Sequence, residues 1–126
     1  MFDRLDPRSP TPLYAQIANR IKVAIVALEL QPGNPLPSVR QLAADLRVNP
    51  ATVVQAYRAL EDEGFVEARQ RAGTFVRDVP AASRARERSR QAAALVRQML
   101  AEAGRLGLSL DEIDAALAAA AGVRAR

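Results

Sequence analysis

Three short tracts carry residue types suited to holding phosphate oxygens and base edges. Ser38 and Arg40 fall in a capping-box pattern, Ser38-Val39-Arg40-Gln41, which places both at a helix N-terminus. There, amides without intrahelical partners and the positive end of the dipole favour an anion. Arg40 suits either a phosphate or a base edge, and Ser38 is either a phosphate ligand or only a cap. Asn49-Pro50-Ala51-Thr52 opens a further helix, with Asn49 as cap and Pro50 at the first helical position. At about 100° per residue, Ala51, Gln55 and Arg58, flanked by Thr52 and Val54, lie opposite the apolar set Val53, Ala56, Tyr57 and Leu60. Small side chains allow close approach to a major groove, glutamine can bond adenine, and methyl groups can pack on thymine. A merely solvated helix face can have the same make-up. The third tract, Arg69-Gln70-Arg71-Ala72-Gly73-Thr74, is a cationic turn able to enter an adjacent groove or to stay in water.

Composition narrows the chemistry further. The 126 residues contain no Cys and no His, which removes disulfides, thiolate catalysis, Cys or His zinc sites and histidine base catalysis together. No catalytic pair or glycine-rich phosphate loop is present either, so neither an enzyme nor a cofactor is expected. Basic residues number 18 against 14 acidic, for a net charge of +4, and only Lys22 among the basic ones is lysine. Arginine's planar fork suits phosphates and guanine edges. Codon bias would yield the same excess, so position must decide. An apolar share of 49% fits a folded chain, and 4% aromatics means an aliphatic, largely helical core. No apolar run approaches the roughly 20 residues of a membrane span and the N-terminus lacks a signal-peptide core, so a cytoplasmic protein without a membrane partner is expected.

These tracts need elements to position them. Leu13, Ile17, Ile21, Ile25 and Leu28 predict a first helix starting near Pro12 and capped by Thr11. The breaker cluster Gln31-Pro32-Gly33-Asn34-Pro35-Leu36-Pro37 predicts a stiff loop. A short second helix carries Leu42, Ala43 and Leu46 inward. Only Arg47 and Val48 separate it from the cap of the third, which runs to about Glu63 and stops at Gly64. Helices joined so tightly cross steeply, as in a helix-turn-helix. The period then falls to two: Phe65 to Arg69 and Thr74 to Arg77 predict a hairpin, the wing. A boundary is placed at Asp78 to Ser83. Beyond it, Ala92, Val96, Met99, Ala103 and Leu106 form one apolar stripe, and Leu110, Ile113, Leu117 and Ala121 another, with Gly104 and Gly107 between them and Ser109-Leu110-Asp111-Glu112 as a capping box. The expected architecture is mainly α: a winged helix-turn-helix of three helices plus a β-hairpin over residues 1–78, then a linker and two-helix tail over 79–126.

The run Leu36-Pro37-Ser38-Val39-Arg40-Gln41-Leu42-Ala43, followed by Val48-Asn49-Pro50-Ala51-Thr52-Val53, Ala56-Tyr57, Leu60-Glu61, Glu63-Gly64 and Gly73-Thr74-Phe75-Val76, resembles the winged helix-turn-helix of GntR transcriptional regulators. Pro12-Leu13-Tyr14 with Gln16-Ile17 resembles it too, so the likeness spans about residues 10–77. The short tail resembles the YtrA-like branch. The resemblance implies a dimeric repressor binding an inverted repeat near a promoter, commonly that of an ABC-transporter operon, with no effector assigned. Carried over by position, the DNA-binding set is Ser38, Arg40, Asn49, Pro50, Ala51, Thr52, Gln55, Gly73 and Thr74, with Arg71 at the wing tip. Arg47 and Arg71 stand where the family has Gly, and Asn34-Pro35 replaces an Asp-Arg-like pair. Arg47 must then carry a left-handed cost of roughly 1 to 2 kcal/mol or alter the turn.

In the tail, Val96, Met99, Leu106, Leu110, Ile113 and Leu117 are the expected dimerisation residues, because a two-helix hairpin cannot cover both its stripes with its own chain. The arginines of Ser83 to Arg90 alternate and so scatter around a helix, as a solvated helix start does. Two rivals remain. One is a winged helix used for protein interaction without DNA readout. The other, a reader domain detached from a larger aminotransferase-fused regulator, is less expected because a capped helix closes the chain.

Overall fold

Spaced apolar residues and four well-placed helix stops account for the element order in the computed structural model, which describes residues 5–122. The order is α1 (Leu13–Val26), α2 (Val39–Leu46), α3 (Pro50–Asp62), β1 (Val66–Arg69), β2 (Gly73–Val76), α4 (Ala81–Leu106) and α5 (Leu110–Ala121). The chain forms two compact units, Met1–Arg88 and Ser89–Arg126, divided within α4.

In the first unit α3 packs on both α1 and α2. Ile17 and Ile21 of α1, Val53 and Leu60 of α3, and Val66 and Val76 of the hairpin are fully buried. Each contributes about 1.5–3 kcal/mol by leaving water. Val79 closes the same core, and Glu87 in the first turns of α4 is also buried. β1 and β2 pair antiparallel, with Val66 opposite Val76 and Arg69 opposite Gly73. The loop after α1 adds a third, strand-like segment. Val76 N donates to Asn34 O and Leu36 N to Thr74 O, both at 2.8 Å, and Pro35 lies opposite Phe75. Pro35 fits there because the ladder bonds come from its neighbours and its missing N–H falls on the outer edge.

Helix ends follow one device. After α1, α2, α3 and α4 a left-handed residue lets two successive amides reach back to the last turn. At Gly64 and Gly107 the device has its usual residue, with φ 83° and 72°. At Leu28 and Arg47 it does not: φ is 62° and 57°, yet Leu28 N still donates to Ile25 O, Glu29 N to Ala24 O, Arg47 N to Ala44 O and Val48 N to Ala43 O. Arg47 therefore adopts the left-handed turn and carries its steric cost.

Several boundaries differ from expectation. Pro12 itself occupies the α1 cap position with no side-chain cap bond; the Thr11 carbonyl instead accepts from Gln16 Nε2, which also clasps Asp6 O. α1 stops at Val26, so Leu28 lies in the turn rather than on the helical stripe. The strands run Val66–Arg69 and Gly73–Val76, each starting one residue from the expected position. Gly104 lies inside α4, and Gly107 alone ends it.

In the second unit α5 is closed at its start by the capping box: Ser109 Oγ accepts from Glu112 N, and Glu112 Oε1 accepts from Ser109 N. Those bonds hold the Glu112 carboxyl below its usual pKa. Ala103 is buried and Ile113 half-buried, but Val96, Met99, Leu106, Leu110 and Leu117 are exposed, as are Leu95, Leu100 and Leu108. Among the described residues no helix is long and apolar enough to cross a membrane.

Candidate nucleic-acid interface

α2 and α3 present the expected residues at their starts. Ser38 caps α2, its hydroxyl accepting from Gln41 N at 3.1 Å, and Arg40 projects, exposed, from the first turn. Asn49 caps α3 by accepting from Ala51 N at 2.9 Å, with Pro50 at the first helical position. The cap bonds use one oxygen of each side chain. The Ser38 hydroxyl proton and the Asn49 amide protons are donors of the kind a phosphate accepts.

On α3, Ala51, Val54, Gln55 and Arg58 are exposed and Thr52 is half-buried, while Val53, Ala56, Tyr57 and Leu60 are buried. The helix thus keeps its small and polar groups for solvent. Its C-terminal end is committed elsewhere: Glu61 Oε2 accepts from Ala68 N on the hairpin, and Glu63 pairs with Lys22 of α1 at 3.0 Å. These carboxylates brace the fold at the end away from the helix start.

The wing separates its two arginines. Arg69 pairs with Glu67 at 2.9 Å and lies over the Phe75 ring, so it is folded onto the hairpin. Arg71 occupies the tip, exposed, at φ 64°. That left-handed conformation shows how a non-glycine residue keeps the tip turn closed. Gly73 follows at φ 111°, a value that excludes a side chain without strain, and Thr74 is half-buried.

Three parts of the molecule meet at residues 36–38. Leu36 N is bonded to Thr74 O of the wing, Ser38 starts α2, and between them the Pro37 carbonyl accepts from the Tyr57 hydroxyl of α3 at 2.7 Å. Burial pushes the Tyr57 phenol up to about 12. Sequence reasoning placed Tyr57 only in the core. The signal available was its hydroxyl, which needs a partner when the ring is buried.

Comparison with known proteins agrees with this geometry. The model of bacterial regulatory proteins, gntR family, matches residues 13–76. The HTH-type transcriptional repressor YtrA of Bacillus subtilis is 33% identical over 110 residues, covering 87% of this chain and 85% of YtrA. A GntR family transcriptional regulator from Listeria monocytogenes superimposes with TM-score 0.70 at 28% identity, covering 90% of this chain and 96% of that one. The DNA-binding domain of AraR, solved in complex with operator ORX1, superimposes with TM-score 0.53 at 28% identity over 58% of this chain and 90% of that one. With the helix-turn-helix, the wing and the two-helix tail in place, the chain belongs to the gntR family of bacterial regulatory proteins and is a YtrA-like DNA-binding transcriptional regulator.

Proposed function

We propose that this protein is a cytoplasmic homodimeric repressor that binds an inverted-repeat operator in duplex DNA. Residues 1–78 read a half-site and residues 79–126 supply linker and dimer contacts. Ala51, Thr52 and Gln55 meet base edges in the major groove, Ser38, Arg40, Asn49 and Pro50 position the helix pair on the backbone, and Arg71, Gly73 and Thr74 approach the neighbouring groove. The exposed face of α3, small and polar at its N-terminal end and opposite a fully buried Val53, Ala56 and Leu60, carries this reading. AraR, a structural neighbour, was solved on an operator, and YtrA is named a repressor.

The dimer rests on the tail. Val96, Met99, Leu106, Leu110 and Leu117 are exposed along α4 and α5, more apolar surface than a small unit leaves in water. A two-fold pair of tails covers it, and sets two recognition helices near one DNA turn, about 34 Å, apart. By the resemblance to the YtrA-like branch, the operator lies upstream of a transporter operon.

The test is selection from random duplex with the full chain, followed by titration at several salt concentrations. A palindromic consensus and a log K that falls steeply with log salt are expected. Binding that ignores both sequence and salt would instead support a protein-interaction module.

A further inference from the structure

We propose that the Tyr57 hydroxyl is a positioning group for DNA binding: by holding the Pro37 carbonyl it sets the direction from which α2 presents Ser38 and Arg40 beside α3. This rests on the DNA-binding reading given above.

The segment before α2 is short of backbone donors. Pro35 and Pro37 have no N–H, so across residues 35–37 only Leu36 can donate from the backbone, and its amide is already spent on Thr74 O. That bond ties the segment to the wing. Leu36 also packs in the core, but any second backbone hydrogen bond, to the helix pair, must come through a carbonyl, and Tyr57 supplies the donor at 2.7 Å. The Pro37 carbonyl belongs to the peptide that joins Pro37 to Ser38, the α2 cap, so fixing it fixes the entry to the helix. Tyr57 is itself held. Its side chain is buried in the core cluster, and it shares α3 with the exposed Ala51 and Gln55. The hydroxyl therefore links the groove-facing helix to the start of α2 through two residues that reach no base. A phenylalanine would fill the same volume, so packing alone does not require the oxygen; the register between α2 and α3 does.

The experiment compares the full-length wild type with Tyr57→Phe, Arg40→Ala and the double variant on the operator duplex selected by the wild type. Thermal unfolding checks each fold, and hydrogen exchange follows the Gln41 amide that Ser38 caps. Tyr57→Phe is expected to bind about three- to tenfold more weakly, the factor carried by one lost hydrogen bond, with the same base consensus. In the Arg40→Ala background the same change should cost less than it does in the wild type, because one of the two contacts it positions is already gone. Exchange at Gln41 should quicken. Affinity within about twofold of wild type would overturn the proposal, as would an equal loss with and without Arg40, which marks a purely structural effect. If the wild type shows no salt-dependent binding to duplex, the DNA-binding reading fails and this proposal falls with it; if the wild type binds and Tyr57→Phe binds equally well, only the proposal falls.

Discussion

The Arg69 guanidinium lies over the Phe75 ring, 4.2 Å from its centroid, while pairing with Glu67 on the same strand. The stacked arginine braces the hairpin, whereas Arg71 is exposed at the tip. Arg71→Ala should lower operator affinity and reduce the slope of log K against log salt by about one unit. Arg69→Ala should leave that slope nearly unchanged and lower stability by about 0.5–1 kcal/mol. Titrations in a salt series, with urea unfolding of each variant, check both; equal slopes for the two variants would undo the distinction.

Arg40 and Gln55 should separate affinity from specificity. Arg40→Ala is expected to weaken binding to every duplex alike and to lower the salt slope by about one unit, as the loss of a phosphate contact does. Gln55→Ala or Thr52→Ala should change the selected consensus with the core of Val53, Ala56 and Leu60 intact. Selections returning the wild-type consensus for both α3 variants would remove that face from readout.

Leu28 and Arg47 hold left-handed turns that glycine occupies without steric cost. Leu28→Gly and Arg47→Gly should each raise stability by about 0.5–1 kcal/mol, the relief of a strain of about 1 to 2 kcal/mol less the added chain entropy of glycine. A calorimetric Tm that stays level or falls for both would show that neighbouring contacts already offset the strain.

The Tyr57 phenol is raised from 10.0 to about 12 by burial, so the folded state holds this proton more tightly than the unfolded chain does. The stability linked to it is complete below pH 10 and is lost as pH climbs through about 12. Between pH 10 and 12 the wild type should therefore lose more stability than Tyr57→Phe, as followed by denaturant midpoints. Parallel pH curves for the two proteins would contradict the burial account.

Val96→Glu and Leu117→Glu place a charge on the exposed stripes of α4 and α5. Each should shift the protein toward monomer in light scattering and reduce binding to the full palindrome toward that of a half-site. The loss should be large, since tethering a second reader raises affinity by about 10² to 10⁴. Variants that stay dimeric with full affinity would move the dimer contacts out of the tail.

Sequence alone determined what depends on neighbours along the chain. The caps at Ser38, Asn49 and Ser109, the stop at Gly64, the inward set of α3 and the switch to period two after it all follow from rules that act within one or two turns. The same locality explains the misplacements. Pro12 and Thr11 compete for one helix start, Gly104 is only mildly unfavourable inside a helix, and Leu28 matches the apolar spacing of α1 although the turn claims it. Only the tertiary structure decided the pairings between distant tracts: Tyr57 with Pro37, Leu36 with Thr74, Glu61 with Ala68 and Arg69 with Phe75. Such bonds depend on where packing brings two segments, and residue spacing holds no record of that. The scaffold of this face is therefore written locally, and its internal alignment is set by a few hydrogen bonds between segments far apart in the chain.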